Sequence, residues 1–330
     1  MIIVTGGAGF IGSAIVWRLN KEGYDKIIIV DNLGNTDKWK NLVKLKFYDI
    51  IHKDDFLKLI EKGIFDKDVE GIIHLGACTD TTEKNANYLL RNNYEYSKSL
   101  LKWAISKNKR FIYASSAATY GDGKNDFVDE ESKIPSLKPL NMYAYSKQLF
   151  DLWVLKQGLF DKVAGIKYFN VYGPNEYHKG EMASVVYKSF LQIKNFGKVR
   201  LFKSYNPKYK DGWQMRDFVY VKDVVDLTLF IYKNKKVNGI FNAGTGKARS
   251  FYELVSIIFK ILGKKEKIKY IDMPSDIKDK YQYFTEAKMD KIKKIGYKRK
   301  FFSLEEGIRD YLENYLLTSD PYLGKDKEKI

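Results

Sequence analysis

Tyr143 and Lys147 are the two residues whose types and spacing most clearly suit chemistry. Residues four apart lie on one face of a helix, so these two side chains are predicted to be neighbours. A lysine ammonium beside a phenol stabilises the phenolate, and we therefore expect the pKa of Tyr143 to lie below its ordinary value of about 10. A phenol tuned in this way can exchange a proton with a substrate near neutral pH.

The strongest signal for a cofactor is a glycine-rich segment, residues 5–12, that follows a predicted strand and opens a predicted helix. Gly6, Gly9 and Gly12 give the spacing G-x-x-G-x-x-G. Glycines there allow a tight turn and bring the backbone close to a pyrophosphate, while the helix N-terminus offers free N–H groups to the phosphate charge. This context predicts a nucleotide site rather than a bare turn between a strand and a helix.

Asp31 ends the second predicted strand, at the position of the carboxylate that binds the cofactor ribose. Alone it favours NAD, because a carboxylate repels the 2′-phosphate of NADP. Lys38 and Lys53 lie nearby in sequence and could neutralise that phosphate, although most lysines of so basic a chain are expected to be solvated. The residues by themselves therefore leave NAD and NADP both open.

A run of small residues follows another predicted strand, where the ligand crevice of a doubly wound sheet lies. Small side chains there leave room for the nicotinamide ribose. Cys78 is interpreted as a small filler rather than a nucleophile, since no partner base is evident in the sequence. The residues assigned to this wall are Leu75, Gly76, Ala77, Cys78 and Thr79.

Ser116 stands at the end of a further predicted strand and could hydrogen-bond a sugar hydroxyl or carbonyl. A Tyr-x-x-x-Lys spacing alone arises easily by chance in a chain with 25 Tyr and 58 Lys and Arg residues. The order of glycine loop, strand-end serine and Tyr-x-x-x-Lys is much more specific. Together the three predict a dinucleotide-dependent active site.

The elements that must position these residues alternate between strand and helix, which predicts a Rossmann-type doubly wound parallel α/β sheet with right-handed crossovers. Hydrophobic runs predict strands at 2–4, 27–30, 71–75, 110–114, 164–169 and 240–242. Helical periodicity predicts helices at 11–21, 54–62 (capped by Asp54), 87–107, 145–156 and 251–262.

The pattern loosens after about residue 170, where Gly, Asn and aromatic residues separate shorter elements. We interpret residues 1–170, with a return segment near 217–245, as a nucleotide-binding Rossmann domain. Residues 171–330 are interpreted as mainly a smaller, interleaved α/β substrate-binding domain. The active site is expected between the two.

Composition excludes several classes of protein. The single cysteine rules out an internal disulfide, and with no signal peptide in sight this predicts a cytoplasmic protein. No apolar run reaches the roughly 20 residues that span a bilayer. The net charge of +17 is spread along the chain, with no basic arm, zinc site or nucleic-acid motif. We therefore expect a lysine-rich solvated surface, no metal, and neither nucleic acid nor membrane as partner.

Longer strings make the chain resemble a known group of enzymes. With the glycine loop, Ser116, Tyr143 and Lys147, it resembles the extended short-chain dehydrogenase/reductase superfamily. Within that superfamily it is similar to the nucleotide-sugar 6-epimerases that act on ADP-heptose, from Met1 to about Tyr315. The strings that carry this resemblance are residues 31–33, 74–79, 113–121, 168–174, 178–184 and 216–220.

The resemblance implies NADP-dependent inversion at C6 of ADP-D-glycero-D-manno-heptose through a transient 6-keto sugar, which supplies heptose for lipopolysaccharide core or surface polysaccharide. Two acid/bases are implied, one for each face of the sugar, and they correspond to Tyr143 and Lys179. Lys147 is implied to orient the nicotinamide ribose, and Ser116 to bind the reacting oxygen. Without the resemblance, a loop lysine such as Lys179 would be interpreted as solvated.

Binding residues follow from the same resemblance, which also implies a homo-oligomer, a pentamer. The implied cofactor contacts are Gly6, Gly9, Phe10, Ile11, Gly12, Asp31, Asn32, Lys38, Lys53, Leu75, Gly76, Ala77, Cys78, Thr79, Asn92, Lys147 and Val171. The implied sugar-nucleotide contacts are Asn170, Glu181, Lys188, Phe202, Lys203, Ser204, Tyr205, Arg216 and Tyr281. Arg216 is chemically apt, because a guanidinium fork suits a diphosphate.

Two other functions stay open. A UDP-hexose 4-epimerase or related nucleotide-sugar enzyme would share the superfamily residues but would not need Lys179. A 4,6-dehydratase normally carries an Asp-Glu pair after the strand-end serine, where this chain has Ala117 and Ala118. A non-catalytic binding module would be expected to lose Tyr143 or Lys147, and both are present.

Overall fold

Parallel β-structure dominates the first half of the chain in a computed structural model that describes residues 1–278 and 281–324. The strands of this described part are β1 Ile2–Thr5, β2 Ile27–Asp31, β3 Asp49–His52, β4 Gly71–His74, β5 Arg110–Ser116, β6 Ala164–Tyr168, β7 Asn170–Tyr172, β8 Val199–Phe202, β9 Met215–Arg216, β10 Phe218–Tyr220, β11 Gly239–Ala243, β12 Arg249–Ser250 and β13 Ile268–Ile271. Seven of them form one sheet in the order β11-β6-β5-β4-β1-β2-β3.

Every neighbouring pair in this sheet is parallel, and the chain order reverses between β1 and β4. From β1 the chain builds outward through β2 to β3, and from β4 it builds outward through β5 and β6 to β11. The carboxyl ends of β1 and β4 therefore flank a topological switch point, the usual place for a ligand in an open α/β sheet. The doubly wound parallel sheet predicted from the sequence is confirmed.

Helices cover both faces of the sheet. The described α-helices are α1 Phe10–Lys21, α2 Lys53–Glu61, α3 Ala86–Leu89, α4 Tyr96–Ser106, α5 Met142–Lys156, α6 Val185–Phe196, α7 Val221–Lys233, α8 Phe251–Ile261, α9 Ser275–Lys278, α10 Asp290–Lys294 and α11 Leu304–Tyr311. A π-helical turn, Leu90–Glu95, joins α3 to α4, so the long helix predicted over 87–107 is present with one irregular turn.

Alternate residues of each central strand enter two separate hydrophobic cores, because successive side chains of a strand point to opposite faces. In β1, Ile2 and Val4 belong to the core that includes α1 and α7, whereas Ile3 belongs to the core that includes α2, α4 and α5. Burial on both faces explains why these strands read as continuous apolar runs rather than alternating ones.

Two helices begin earlier than the sequence predicted, and each has a different cap. Helix α5 begins at Met142 rather than residue 145, because the side chain of Asn141 accepts a hydrogen bond from the backbone N–H of Ala144 at 2.8 Å. The prediction that Asp54 caps α2 was wrong: His52 is the N-cap, and its ring accepts from the N–H of Asp54 at 3.4 Å.

The later part of the chain forms three small strand pairs, with β7 beside β10, β8 beside β13, and β9 antiparallel to β12. Helix α8 packs on α6 and α11 there. Between these pieces the chain returns to the Rossmann layer as α7 and β11, within the segment predicted near 217–245. None of the described helices is long and apolar enough to cross a bilayer.

Candidate active site

The glycine loop holds the carboxyl end of β1 against that of β4. Gly6 has a φ of +66°, and a Cβ on it would lie 2.8 Å from the backbone nitrogen of Gly76. A Cβ on Gly12 would lie 2.1 Å from the carbonyl oxygen of Gly6. Both positions therefore require glycine. Helix α1 starts after Gly9 with no side-chain cap and no acidic residue in its first turn, which leaves its N–H groups available to an anion.

Asp31 makes its hydrogen bonds within the protein. Its carboxylate accepts from the backbone N–H of Ala8 at 2.9 Å and of Asn32 at 2.7 Å. The Lys38 ammonium donates to the same carboxylate at 2.6 Å. Asp31 thus anchors the glycine loop to the end of β2, and a lysine already neutralises its charge.

A cavity of about 140 Å³ opens at the switch point. Nine predicted cofactor residues line it, namely Gly6, Asp31, Asn32, Lys38, Lys53, Gly76, Ala77, Cys78 and Asn92. Four further lining residues were not predicted from the sequence, namely Thr5, Val30, Tyr88 and Tyr96. Tyr88 and Tyr96 stand four residues on either side of Asn92, so helical spacing was the signal that could have found them.

The other predicted cofactor residues lie outside this lining, and their cofactor contacts stay predictions. Phe10 points into the core under α1, with 8% of its surface exposed. Val171 lies on β7 beside Val219. Lys147, described below, is also outside the lining. The others are Gly9 in the glycine loop, Ile11 and Gly12 at the start of α1, and Leu75 and Thr79 after β4.

A buried histidine that the sequence analysis did not single out ties these loops together. His74 Nε2 lies 2.8 Å from Ser97 Oγ, whose hydroxyl donates to the carbonyl of Asn93. Nε2 is therefore the protonated nitrogen, and Nδ1 accepts from the Thr5 hydroxyl at 2.6 Å. Burial lowers the pKa of His74 to about 3, and the charge of Lys147 acts in the same direction.

Asn93, in the π-helical turn, holds the wall of small residues against the helix that carries Tyr143. Its side chain accepts from the Cys78 N–H at 2.8 Å and donates to the Cys78 carbonyl at 2.9 Å. It also donates to Ser146 Oγ at 3.0 Å, and Ser146 in turn donates to the carbonyl of Tyr143. Only the adjacent Asn92 was predicted from the sequence, and it donates to the Asn93 side chain at 3.0 Å.

Tyr143 and Ser116 are brought into hydrogen-bond contact. The expectation that the pKa of Tyr143 falls below its ordinary value was wrong for the protein alone. Burial raises the pKa of Tyr143, the hydrogen bond from Ser116 opposes that rise, and the nearby Cys78 adds to it. Desolvation of the phenolate thus outweighs the electrostatic help that the sequence pattern suggested.

Lys147 is buried on the same helix, with 4% of its surface exposed. Burial lowers the pKa of Lys147 to about 8, while the negative charge of Asp151 one turn further along α5 opposes this. The pair predicted to share a helix face is therefore present, and the ammonium is close to its point of titration near neutral pH.

Lys179 lies in a short 3₁₀ turn, Tyr177–Met182, that follows β7. Its ammonium lies 3.4 Å from Thr79 Oγ1, at the end of the small-residue wall. Burial lowers the pKa of Lys179, and the buried carboxylate of Glu176 opposes the effect. Tyr143 is therefore near Cys78 of the small-residue wall, and Lys179 is near Thr79 of the same wall.

Arg216 packs against Tyr281, another residue of the predicted sugar-nucleotide region. Its guanidinium lies over the rings of Tyr281, at 5.2 Å, and Phe251, at 5.6 Å. Tyr281 also packs edge-on against Phe202 at 6.4 Å. Burial lowers the pKa of Arg216, although it stays a cation across the physiological range. Aromatic faces beside a buried guanidinium suit a base next to a phosphate.

The rest of this predicted region forms two polar groups. In the first group, the Lys203 ammonium and the Tyr205 hydroxyl both donate to the carboxylate of Asp272, at 3.2 Å and 2.7 Å. Between them in sequence, the N–H of Ser204 donates to the carboxylate of Asp211. The second group, near Lys179, is the exposed ion pair of Lys188 with Glu181 at 3.3 Å. Asn170 lies exposed on β7 and donates its backbone N–H to the carbonyl of Asp217 at 3.1 Å.

A larger cavity, of about 430 Å³, lies elsewhere and has none of the predicted site residues in its lining, which is drawn from residues 218, 245–249 and 289–305. The larger of these two cavities is therefore not the one that holds the predicted site residues. Among the described residues, no group of three or more His, Cys, Asp or Glu side chains is placed to hold a metal ion.

Sequence comparison matches residues 2–244 to the NAD dependent epimerase/dehydratase family. A curated relative from Nitratidesulfovibrio vulgaris (strain DP4), named ADP-L-glycero-D-manno-heptose-6-epimerase, is 51% identical over 323 residues, which cover 98% of this chain and 100% of the relative. A relative of the same name from Fusobacterium nucleatum is 50% identical over 332 residues, with 98% and 100% coverage.

Solved structures of epimerases also resemble this chain in fold. The ADP-L-glycero-D-manno-heptose-6-epimerase of Helicobacter pylori superposes with a TM-score of 0.77 at 31% identity, covering 95% of each chain. The UDP-glucose 4-epimerase of Thermotoga maritima, solved with UDP-glucose, gives 0.78 at 28% identity, covering 94% of this chain and 97% of that one. This chain belongs to the NAD dependent epimerase/dehydratase family.

Proposed function

We propose that this protein is an isomerase that inverts C6 of ADP-D-glycero-D-manno-heptose to give the L-glycero epimer, through a transient 6-keto sugar. The observation that carries the proposal is the match, at about half of all positions and along the whole chain, to relatives that bear the corresponding epimerase name. The product would supply heptose for lipopolysaccharide core or surface polysaccharide.

The residues at the switch point fit a nicotinamide nucleotide. The glycine loop packs too closely on itself and on Gly76 for side chains at Gly6 and Gly12, and the uncapped start of α1, which would suit a pyrophosphate, follows it. A nicotinamide nucleotide held there would supply reversible hydride transfer at C6. Every remaining requirement, namely binding, orientation and proton transfer, falls to the protein's own side chains.

We infer NADP rather than NAD as this nucleotide. Three protein donors already occupy the carboxylate of Asp31, which leaves it poorly suited to accept a hydrogen bond from a ribose 2′-hydroxyl. Lys38 neutralises that carboxylate, and Lys53 lines the same cavity. Two ammonium groups beside a neutralised carboxylate suit a 2′-phosphate.

Tyr143 and Lys179 are proposed as the two acid/bases. With Tyr143 close to Cys78 and Lys179 against Thr79, each can hold or release a proton beside the wall where the nicotinamide would pack. Ser116, bonded to the phenol, would bind the reacting oxygen, and Lys147 would orient the cofactor ribose. The lowered pKa values of Lys147 and Lys179 make these ammonium groups better proton donors than exposed lysines.

Arg216 is proposed to bind the diphosphate of the substrate. Tyr281 and the segment Phe202 to Tyr205 are proposed to enclose the nucleotide. Asn170, Glu181 and Lys188 are proposed to contact the sugar.

Product analysis by NMR tests the activity directly. Purified protein is mixed with ADP-D-glycero-D-manno-heptose without added cofactor, and then with NADP⁺. Appearance of the L-glycero epimer supports the proposal, and turnover without added cofactor would also show that the protein retains it. No conversion under either condition, together with turnover of UDP-glucose, would favour a 4-epimerase, the activity of the Thermotoga maritima neighbour.

We also propose that copies of the chain assemble into a homo-oligomer, a pentamer, in the cytoplasm. Light scattering of the purified protein measures its mass against the 38.5 kDa of one chain. A mass of one chain at working concentration would contradict the assembly.

A further inference from the structure

The loop that carries Lys179 begins at a buried asparagine in an unusual backbone conformation. Asn175 has a φ of +77° and no exposed surface. Its side-chain nitrogen donates to Ser13 Oγ at 2.9 Å, one residue past the last glycine of the cofactor loop. Its side-chain oxygen accepts from the N–H of Leu323 at 2.9 Å. Asparagine adopts the left-handed conformation more readily than most residues. Here its side chain joins the start of this loop to α1 through Ser13 and to Leu323.

A second buried asparagine lies between the same two loops. Asn41 has 1% of its surface exposed and belongs to a 3₁₀ turn, Asp37–Leu42, that also carries Lys38. Its side-chain nitrogen donates to the carbonyl of Ala8 at 2.9 Å, within the cofactor loop, and to the carbonyl of Asn175 at 3.1 Å. The same nitrogen lies 3.3 Å from His178 Nδ1, one residue before Lys179.

The two hydrogens of one amide group therefore join the cofactor loop to the loop of Lys179. The side-chain oxygen of Asn41 is buried and has no hydrogen-bond partner among the described residues. All of the side chain's hydrogen bonds thus come from its nitrogen. A buried oxygen without a partner destabilises the fold, and an apolar side chain that only filled this space would avoid that cost.

Lys179 needs such an anchor. Its ammonium is partly buried, which lowers its pKa, and its contact with Thr79 is long, at 3.4 Å. A lysine ammonium gains hydration when it moves out into water, so a loosened loop would let this side chain swing away from the small-residue wall. Small displacements of an acid/base cost large factors in rate.

We propose that Asn41 is a positioning residue that fixes the distance between the cofactor loop and Lys179 by donating to the carbonyls of Ala8 and Asn175. The proposal rests on the proposed role of Lys179 as the second acid/base. It predicts that the orientation of Lys179 depends on a residue that touches neither substrate nor the reacting atoms.

The test compares the variants Asn41→Asp and Asn35→Asp. Asn41→Asp keeps the shape of the side chain but replaces the donor nitrogen with an acceptor oxygen that faces two carbonyls. Asn35 is exposed, six residues away in the same segment, and serves as the matched control for charge. Asn41→Ala is a second variant, which removes the donors without adding charge. Folding is checked by thermal unfolding, and NADP⁺ binding by calorimetry.

The first readout is acetylation of Lys179 by an amine-reactive ester, followed by mass spectrometry and normalised to the exposed Lys264. We expect labelling of Lys179 to rise about ten-fold in both Asn41 variants, the size expected for two lost buried hydrogen bonds, and to stay at the wild-type level in Asn35→Asp. Labelling that rose equally at all lysines would indicate general unfolding and would contradict a positioning role. Unchanged labelling of Lys179 in the folded variants would also overturn the proposal.

The second readout is epimerisation. We expect kcat to fall about ten-fold or more in the Asn41 variants, with KM and NADP⁺ affinity changed much less. A failure of the proposed function is distinguishable, because the wild-type chain would then show no epimerisation while the labelling experiment still reports on the loop. Raised labelling of Lys179 with unchanged kcat would show that Asn41 holds the loop, but it would overturn the role of Asn41 in positioning the acid/base.

Discussion

At the scale of single residues, burial decides the proton chemistry of the site more than charge partners do. Tyr143 has its pKa raised, and Lys147 and Lys179 have theirs lowered, in each case chiefly because the charged form is desolvated. A phenol that is harder to ionise and lysines that are easier to deprotonate both favour neutral side chains. The two lysines are thereby brought closer to the pKa that suits proton transfer near neutral pH, whereas the phenol of Tyr143 is moved away from it.

Removing either proposed acid/base should stop epimerisation while leaving the fold intact. We expect Tyr143→Phe and Lys179→Met each to lower kcat by about 10²- to 10⁴-fold, the range for lost acid/base catalysis. Product formation by NMR measures the rate, and circular dichroism checks folding. Near-full activity of Lys179→Met would refute the assignment of two acid/bases.

Lys38 should control which nucleotide is bound. We expect Lys38→Ala to weaken NADP⁺ binding by about ten- to a hundred-fold, because a charged hydrogen bond to the 2′-phosphate is lost. NAD⁺ binding should hold or improve, since the variant frees Asp31 to accept from a ribose hydroxyl. Calorimetry gives both affinities, and Lys40→Ala, which removes the partner of Asp37, is the control. Equal weakening for both nucleotides would contradict this specificity role.

His74 predicts how stability depends on pH. Its pKa is lowered to about 3 in the fold from about 6.5 in the unfolded chain, so the unfolded chain binds a proton first as pH falls. Stability from the neutral ring is full above about pH 6.5 and is lost toward pH 3. We expect a loss of about 2 kcal/mol from this residue between pH 6.5 and 5. Urea unfolding across that range should show a flatter profile for His74→Gln, and parallel profiles would contradict the account.

At the scale of elements, a buried ion pair fixes helix α5 to the sheet. Lys167 of β6 lies 3.0 Å from Asp151 of α5, and both are almost fully buried. Lys167 also donates to Thr119 at 2.5 Å, and Thr119 donates to the carbonyl of Ser116. One lysine therefore sets the distance between the strand end of Ser116 and the helix that carries Tyr143.

Lys167→Met should leave the Asp151 carboxylate buried without its cation. We expect the free energy of unfolding to fall by about 3 to 5 kcal/mol, the usual cost of breaking a buried ion pair. The double variant Lys167→Met with Asp151→Asn should recover part of that loss, because the buried carboxylate that lost the Lys167 ammonium is then no longer charged. Denaturation of the two single variants and the double variant measures the coupling. Additive losses would mean that the two residues do not interact.

At the scale of the whole molecule, distant parts of the chain converge beside the active site. The side chain of Trp17 in α1 donates to the carbonyl of Gly324, and Tyr177 donates to that of Pro321. Leu323 has 1% of its surface exposed, and its backbone N–H donates to the side-chain oxygen of Asn175. The segment near residue 323 therefore supports both the cofactor helix and the loop of Lys179.

The charge of the whole molecule predicts weak, salt-sensitive attraction to polyanions. A net charge of +17 without a nucleic-acid motif should give only counterion-driven binding to DNA. We expect any retention on a DNA column at low salt to disappear by about 200 mM salt. Retention well above that concentration would indicate a specific nucleic-acid site.

The sequence by itself determined the features that depend on local pattern. Apolar runs and helical periodicity gave the central strands, the main helices and the doubly wound sheet, because these signals are repeated over many residues. The loop around Gly6 and Gly12, and the spacing of Tyr143 and Lys147, also follow from residues close in the chain. Cap positions were harder, as His52 and Asn141 show, since several polar residues near a helix start can accept the first hydrogen bonds.

Only the tertiary structure decided what depends on residues far apart. The raised pKa of Tyr143 reflects burial, which a helix-face argument with Lys147 does not contain. No residue pattern marked His74, Asn93 or Asn41 as structural anchors, and their importance lies in hydrogen bonds to partners that are 15 to 134 positions away. Hydrogen bonds and desolvation act through space, so a pattern along the chain predicts which residues meet only where the fold keeps neighbours together.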